Sequence, residues 1–278
     1  MFMRGKHLAW GVTALDFVIN FFSHTGPTQL LLFLVVLTSL WLLEWAVLPQ
    51  TPGAKVGHTL FNTLFMPTAV LIQCFMMLLC FDLAGWVAAK HLGLVYFLPN
   101  ADSPWIKYGL MFVVLDALDY VYHRLMHGVP FFWRFHLAHH TDKAVDVSTT
   151  FREHPGETMI RNGFLMLWVL VSGASMEVLI LRQTFQTVAN IFAHTALRLP
   201  DGPNSVIEWI FVTPNFHHVH HHFQMPATNY NYGDVFSVWD RLFGTSARMP
   251  SPEIIFGLDT HMDYSWLGFK DQHPAKTS

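Results

Sequence analysis

Cysteine is nearly missing from this 278-residue chain, which has only Cys74 and Cys80, both inside an apolar run. That excludes an iron–sulfur cluster or zinc site built on four thiolates, and a disulfide framework. In such surroundings the two thiols behave as small hydrophobes. Charge is scarce as well. Asp, Glu, Lys and Arg make up 13% of the residues, against about 25% in an average soluble domain. The net charge is −3 with no basic tract, which argues against nucleic acid as a partner. No flavin or nucleotide fingerprint occurs, so a dinucleotide has no recognisable seat. His-Glu-x-x-His is absent, and with it the helix motif of zinc hydrolases; so is the Glu-x-x-His of soluble carboxylate-bridged bundles.

Apolar residues and histidine fill the space left. Hydrophobic residues reach 52% and aromatics 15%, with 25 phenylalanines. This is the composition of a membrane protein. About His7 to Phe22 reads as a short spanning or interfacial helix rather than a signal, because it contains Asp16 and lacks a small-residue cleavage site. Thr28 to Leu48 is long enough to cross a bilayer, which takes about 20 apolar residues. Its one charge, Glu44, is expected to reach the interface. A Pro- and Gly-containing loop follows. A second spanning run covers about Thr59 to Ala88, mildly interrupted at Pro67 and Asp82, and a third covers about Trp105 to Tyr122. A later apolar stretch, about Gly163 to Ala193, breaks at Ser172-Gly173-Ala174-Ser175 and suits a hairpin returning to the side it left. If the N-terminus is cytoplasmic and the first segment spans, the Lys55 loop, Arg152 and Arg161 share the cytoplasmic side. Lys90 and Lys107 then fall opposite, as the positive-inside rule asks.

The chain has 18 histidines, most of them between His123 and His222. His123 and His127 are four apart, so a helix projects both from one face. His136, His139 and His140 share a stripe at i, i+3 and i+4. Downstream, HHVHHH permits His217/His220/His221 or His218/His221/His222 in the same spacing, and helical geometry does not choose between them. A lone histidine is usually an ordinary core or surface residue. Three boxes in an apolar protein are different, since unpaired buried ring nitrogens cost about 1–3 kcal/mol each. A metal removes that penalty, and imidazole is the commonest protein ligand for transition metals. His194, closing the hairpin, is either a further ligand or a helix C-terminal residue facing the macrodipole. Asp119, one turn before His123, is expected to accept the N–H of a ligating imidazole and fix its tautomer. The alternative is an ion pair with Arg124 or Arg134.

Two other classes compete. A histidine-rich metal transporter would string its ligands along a path through several spanning helices, whereas these cluster at helix ends and beyond. An intramembrane zinc hydrolase would need the absent motif, and three boxes exceed the needs of one zinc.

HRLMH (His123–His127), HLAHH (His136–His140) and HHVHH, in that order, resemble the fatty acid hydroxylase/sterol desaturase superfamily of membrane non-haem di-iron enzymes. FREHPGE at Phe151–Glu157 is similar to the family's arginine-x-histidine-proline element. TPNFHHVHH matches its T-P-x-x-H-x-x-H-H block, which favours the first register. NYGDVFSVWDRLFGT, Asn231–Thr245, matches its closing signature. Coverage runs from about Asp116 to Thr245. The resemblance implies an all-α, polytopic membrane helical bundle with a cytosol-facing histidine-rich cap. N-terminal transmembrane helices would occupy 1–105, the catalytic domain 106–250 with its hairpin at about 163–193, and a C-terminal tail 251–278. It further implies two Fe ions (or Zn in a purified sample) held by His123, His127, His136, His139, His140, His217, His220 and His221. His194 and His154 are candidate additions, and His218 and His222 belong to the other register. The implied reaction is O2-dependent hydroxylation or desaturation of a lipid, whether fatty acyl, sterol or related. Electrons would come from a separate donor of cytochrome b5 or ferredoxin type with its reductase. Acyl-CoA desaturases and alkane hydroxylases share similar boxes and are the nearest alternative; the NYG…WDRLFGT ending argues against them.

Overall fold

Proline sets where the helices begin. Pro27, Pro52, Pro130, Pro155 and Pro214 each open one, in the first turn where a missing N–H costs nothing and the fixed φ already suits a helix. The computed structural model describes residues 27–49 and 51–258, which are helical without a single strand. Isolated antiparallel bridges join Phe211 to Phe236 and His222 to Phe256. The segment expected at His7 to Phe22 lies outside the described residues, as does the tail beyond Leu258.

Helix α1 (Pro27–Val47) is followed by α2 (Pro52–Thr63) and α3 (Met66–Lys90). The apolar run expected from Thr59 to Ala88 is therefore divided at Leu64-Phe65, just before Pro67 withdraws its N–H from the helical ladder. A π-helical turn at Trp105–Leu110 leads into α4 (Met111–Gly128), then α5 (Pro130–His140). After a 3-10 turn at Val147–Phe151 come α6 (Pro155–Ser172) and α7 (Met176–His194). Short helices α8 (Asp201–Ile207), α9 (Pro214–His220) and α10 (Val238–Leu242) complete the described chain.

Among the described residues two stretches are long and apolar enough to cross a membrane, Gln29–Val47 and Pro52–Phe97; the run expected from Trp105 to Tyr122 is not one of them. Their large side chains, among them Leu31, Leu34, Leu71, Phe75 and Leu78, project outward rather than into the protein. Water would penalise that surface heavily; lipid would not. At 21 residues α1 is about 30 Å long, the thickness of a hydrocarbon core.

The buried core sits between α3, α4, α6 and α7. Cys80, Ala84 and Val87 of α3 meet Leu115 and Met126 of α4, Leu165 and Val169 of α6, and Val178 and Leu179 of α7. The turn between α6 and α7 carries Gly173 at φ +75°. Its backbone presses on Gly93, itself at φ +102°, so closely that a Cβ on Gly93 would overlap the Gly173 amide. Only glycine serves on both sides of that contact. The packing brings the end of α4, the start of α6 and the end of α7 to one end of the bundle, with α5 and α9 laid across it.

Candidate metal centre

Each histidine box reaches this end by its own local logic. His123 and His127 occupy the last turns of α4, which stops at Gly128 because Pro130 follows. The chain turns at Val129, and α5 carries His136, His139 and His140 back over the bundle. His194 is the last residue of α7. Helix α9 is capped by the Thr213 hydroxyl, which accepts the Phe216 N–H, and delivers His217 and His220, with His221 just past its end.

The imidazoles assemble into two groups. His123, His127, His136, His140 and His220 form one; His139, His194, His217 and His221 form the other, and in each the ligand-capable atoms lie within 4.8 Å of one another. In the first, the Nε2 of His136 is 3.2 Å from those of His123 and His140. In the second, the Nε2 of His194 is 3.0 Å from those of His139 and His217 and 3.2 Å from that of His221. Several nitrogens this close cannot all be satisfied as donor–acceptor pairs, since a neutral ring has one of each. They suit a shared cation: ligands about 2.0–2.1 Å from one ion lie about 2.9–3.4 Å apart in octahedral or tetrahedral order. The groups abut, with the rings of His140 and His221 stacked at 4.7 Å.

Outer contacts fix the tautomers. His136 Nδ1 donates to Glu157 Oε1 at 2.7 Å, His123 Nδ1 to the Tyr232 carbonyl at 2.9 Å, His220 Nδ1 to the Tyr230 carbonyl at 2.8 Å, and His194 Nδ1 to the Asn190 carbonyl at 2.8 Å. Each leaves the Nε2 lone pair directed inward. The Asn231–Thr245 segment owes its residues to this task. Asp240 accepts the Tyr232 and Gly233 N–H groups at 2.8 Å and the Thr245 hydroxyl at 2.7 Å. Asn231 donates to the Phe216 and Ala247 carbonyls. Asp116 on α4 accepts Trp239 Nε1 at 2.7 Å and the Val235 and Phe236 amides. The loop is thereby held rigidly behind His123 and His220.

Burial, reinforced by neighbouring imidazoles, lowers the pKa of His139, His140, His217 and His221 well below the usual histidine value. His220 falls to about 3 for the same reasons. Neutral imidazole is the form that binds metal. Both ring nitrogens of His127, the Nδ1 atoms of His140, His217 and His221, and His220 Nε2 are buried without a hydrogen-bond partner. A cluster so costly to leave unsatisfied fits a pair of bound cations.

The remaining sequence candidates sit elsewhere. His154 Nδ1 accepts the Gly156 N–H at 2.9 Å and caps α6, outside both groups. His218 Nε2 donates to the Thr195 carbonyl, and His222 Nδ1 accepts the Ile255 N–H. Asp119 is a correction. It pairs with Arg182 of α7, not with an imidazole and not with Arg124 or Arg134, because α7 packs on α4 and buries that guanidinium against it. The carboxylate that holds an imidazole of the two groups is Glu157, at the head of α6, inside the HPGE tetrad whose acidic residue carries no local mark of that role. Glu44, expected to reach the interface, is fully buried and paired with Lys55. Lys55 is consequently no free loop cation for orienting the chain.

Fold and site together define an all-helical protein with two long apolar stretches and two abutting histidine groups that could hold metal ions. Residues 108–245 match the family model for fatty acid hydroxylase, and the chain belongs to the fatty acid hydroxylase superfamily. Alkylglycerol monooxygenase of Xenopus tropicalis is 31% identical over 163 residues, 58% of this chain and 34% of that protein. The Homo sapiens protein of that name is 29% identical over 160 residues, again 58% and 34%. Ornithine lipid hydroxylase OlsE of Rhizobium tropici is 30% identical over 157 residues, 56% of this chain and 46% of that protein. The chain thus spans about a third to just under half the length of these relatives. No solved structure matches it.

Proposed function

We propose that this protein is an integral-membrane hydroxylase that inserts oxygen from O2 into a C–H bond of a lipid, at two iron ions held by His123, His127, His136, His140 and His220 on one side and His139, His194, His217 and His221 on the other. The observation that carries the reading is the pair of abutting nitrogen groups facing one cavity of about 500 Å³. Iron bound there supplies the O2 reduction and C–H oxidation that no side chain performs unaided. The protein does the rest. Glu157 and the Tyr230, Tyr232 and Asn190 carbonyls aim the imidazoles. The cavity, reaching from the histidines to Phe33, Met66 and Val70, holds the lipid and excludes bulk water.

Hydroxylation is favoured over desaturation because the relatives named above are monooxygenases and hydroxylases. The apolar helices form a polytopic bundle in the membrane, with the histidine end facing the cytoplasm and Lys90 at the opposite end. Electrons come from a separate carrier of cytochrome b5 or ferredoxin type. The test is comparative lipid mass spectrometry of cells with and without the gene, supplied with labelled O2. Lipids gaining one labelled oxygen atom only when the protein is present support the proposal; an unchanged lipidome with the protein expressed and metal-loaded would overturn it.

A further inference from the structure

The cavity beside the histidines is divided chemically. Tyr122 and Glu157 both line it, both are more than nine-tenths buried, and Tyr122 Oη and Glu157 Oε2 have no hydrogen-bond partner. Both sit at the histidines: Tyr122 precedes His123, and the other oxygen of Glu157 holds His136. One atom donates and the other accepts, so together they call for a ligand group that does both. Arg161, one turn beyond Glu157 and held by Glu153 at 2.8 Å, extends this polar wall.

A second cavity of about 290 Å³ lies between α1, α3 and α7, walled by Leu30, Leu32, Phe81, Ile180 and Val188. Phe33, Met77, Gln183 and Thr187 line both cavities and so stand where the two meet. From His194 back to Ile180, α7 rises about 21 Å. The way from the histidines to the second cavity is therefore long and increasingly apolar.

We infer that the substrate binds head first: an amphiphile whose polar head both donates and accepts hydrogen bonds rests on Tyr122 and Glu157, while its hydrocarbon tail passes Phe33 and Met77 into the second cavity. The inference rests on the lipid-hydroxylase reading above and deepens it. The carbon presented for oxidation is then in the head or next to it, not in the tail. One C–H bond there becomes C–OH; the other atom of O2 leaves as water, with two electrons drawn from the external carrier and two protons from water. A glycerol head and an amino-acid head both carry the required chemistry.

Photo-crosslinking of the purified, metal-loaded protein tests this without reliance on turnover. The probes are long-chain lipids with a glycerol or an amino-acid head, each made with a diazirine in the head or at the tail terminus. Head probes should label α4 and α6 near Tyr122 and Glu157; tail probes should label Phe81, Ile180 and Val188, competed by unlabelled lipid. Whichever head labels more strongly identifies the class. Met77→Trp should reduce tail-terminal labelling at Phe81 at least tenfold, with metal content unchanged, and Tyr122→Phe should weaken head labelling while tail labelling by saturating probe persists. Reversed labelling, or none that competes, would overturn the inference. Product mapping separates the two readings. Oxygen found far along the tail sinks head-first binding and leaves the hydroxylase standing. Correct labelling with no oxygen inserted into any lipid sinks the hydroxylase alone.

Discussion

Lys55 Nζ lies 2.7 Å from Glu44 Oε2, and neither side chain is exposed to any degree. The pair joins α1 to α2, but its reach is longer. Glu44 Oε1 accepts the Val147 amide at 3.2 Å, the Thr195 hydroxyl at 2.8 Å and the Ala196 amide at 2.7 Å. Thr195 directly follows His194. Lys55 also meets Asp146 at 3.1 Å, and His58 bridges Asp146 to Asp142, two residues past His140. Burial opposes the Asp142 carboxylate, yet hydrogen bonds from His58, Ala144 and Thr149 outweigh it and hold its pKa below the ordinary value. The segment matched to the family begins at residue 108. A charged network from outside it thus clamps the residues flanking two site histidines.

Glu44→Gln should leave Lys55 buried without its full counter-charge, at a cost of about 3–5 kcal/mol. Thermal melting should show the loss, and metal analysis should show the His194 group emptied before its neighbour. Adding Lys55→Met to Glu44→Gln should restore much of the melting temperature, because the Gln oxygen still accepts these bonds and no orphan lysine remains. If the double variant melts no higher than the single one, the pair is not what stabilises this region.

Purified protein should carry two metal ions per chain. His127→Ala and His217→Ala each remove a ligand from a different group, so each should lower the metal content by about one ion. His154→Ala should leave it unchanged, since that ring caps α6. Equal metal loss from all three would contradict the division into two groups.

Asp119 and Glu157 should separate cleanly. Asp119→Asn takes from buried Arg182 its directly paired carboxylate and should destabilise the fold by a few kcal/mol while metal binding in the surviving folded protein persists. Glu157→Gln keeps the shape but weakens the acceptor for His136 Nδ1, and should lower metal affinity about 10–100-fold. Melting temperature and metal titration on the two variants read this out; the opposite pattern would return Asp119 to the metal site.

Acid should destabilise the metal-stripped protein. His218 and His220 have folded values of about 3, lowered chiefly by burial from 6.5. The unfolded chain therefore takes up protons below about pH 6.5 that the folded one refuses, so stability is complete above that pH and is lost as pH falls toward 3. Melting temperatures should drop between about pH 7 and pH 5. In the metal-loaded protein the same acidification should also release the ions, because protons compete for the imidazoles.

Local pattern was enough for much of this protein. Apolar run length marked the two stretches able to cross a membrane, and histidine spacing marked three boxes on helix faces, because helical period and bilayer thickness are properties of short segments. Motif order was enough for the family. Which register of HHVHHH turns inward was settled by where α9 lies: His217 and His221 meet one group, His220 the other, and His218 and His222 turn to backbone partners. The partner of Asp119, the role of Glu157, the carbonyls behind His123 and His220, and the buried Glu44–Lys55 pair all depend on residues brought together from distant parts of the chain. A carboxylate in a sequence shows its charge and its neighbours along the chain; its counter-charge, and hence its function, is chosen by packing.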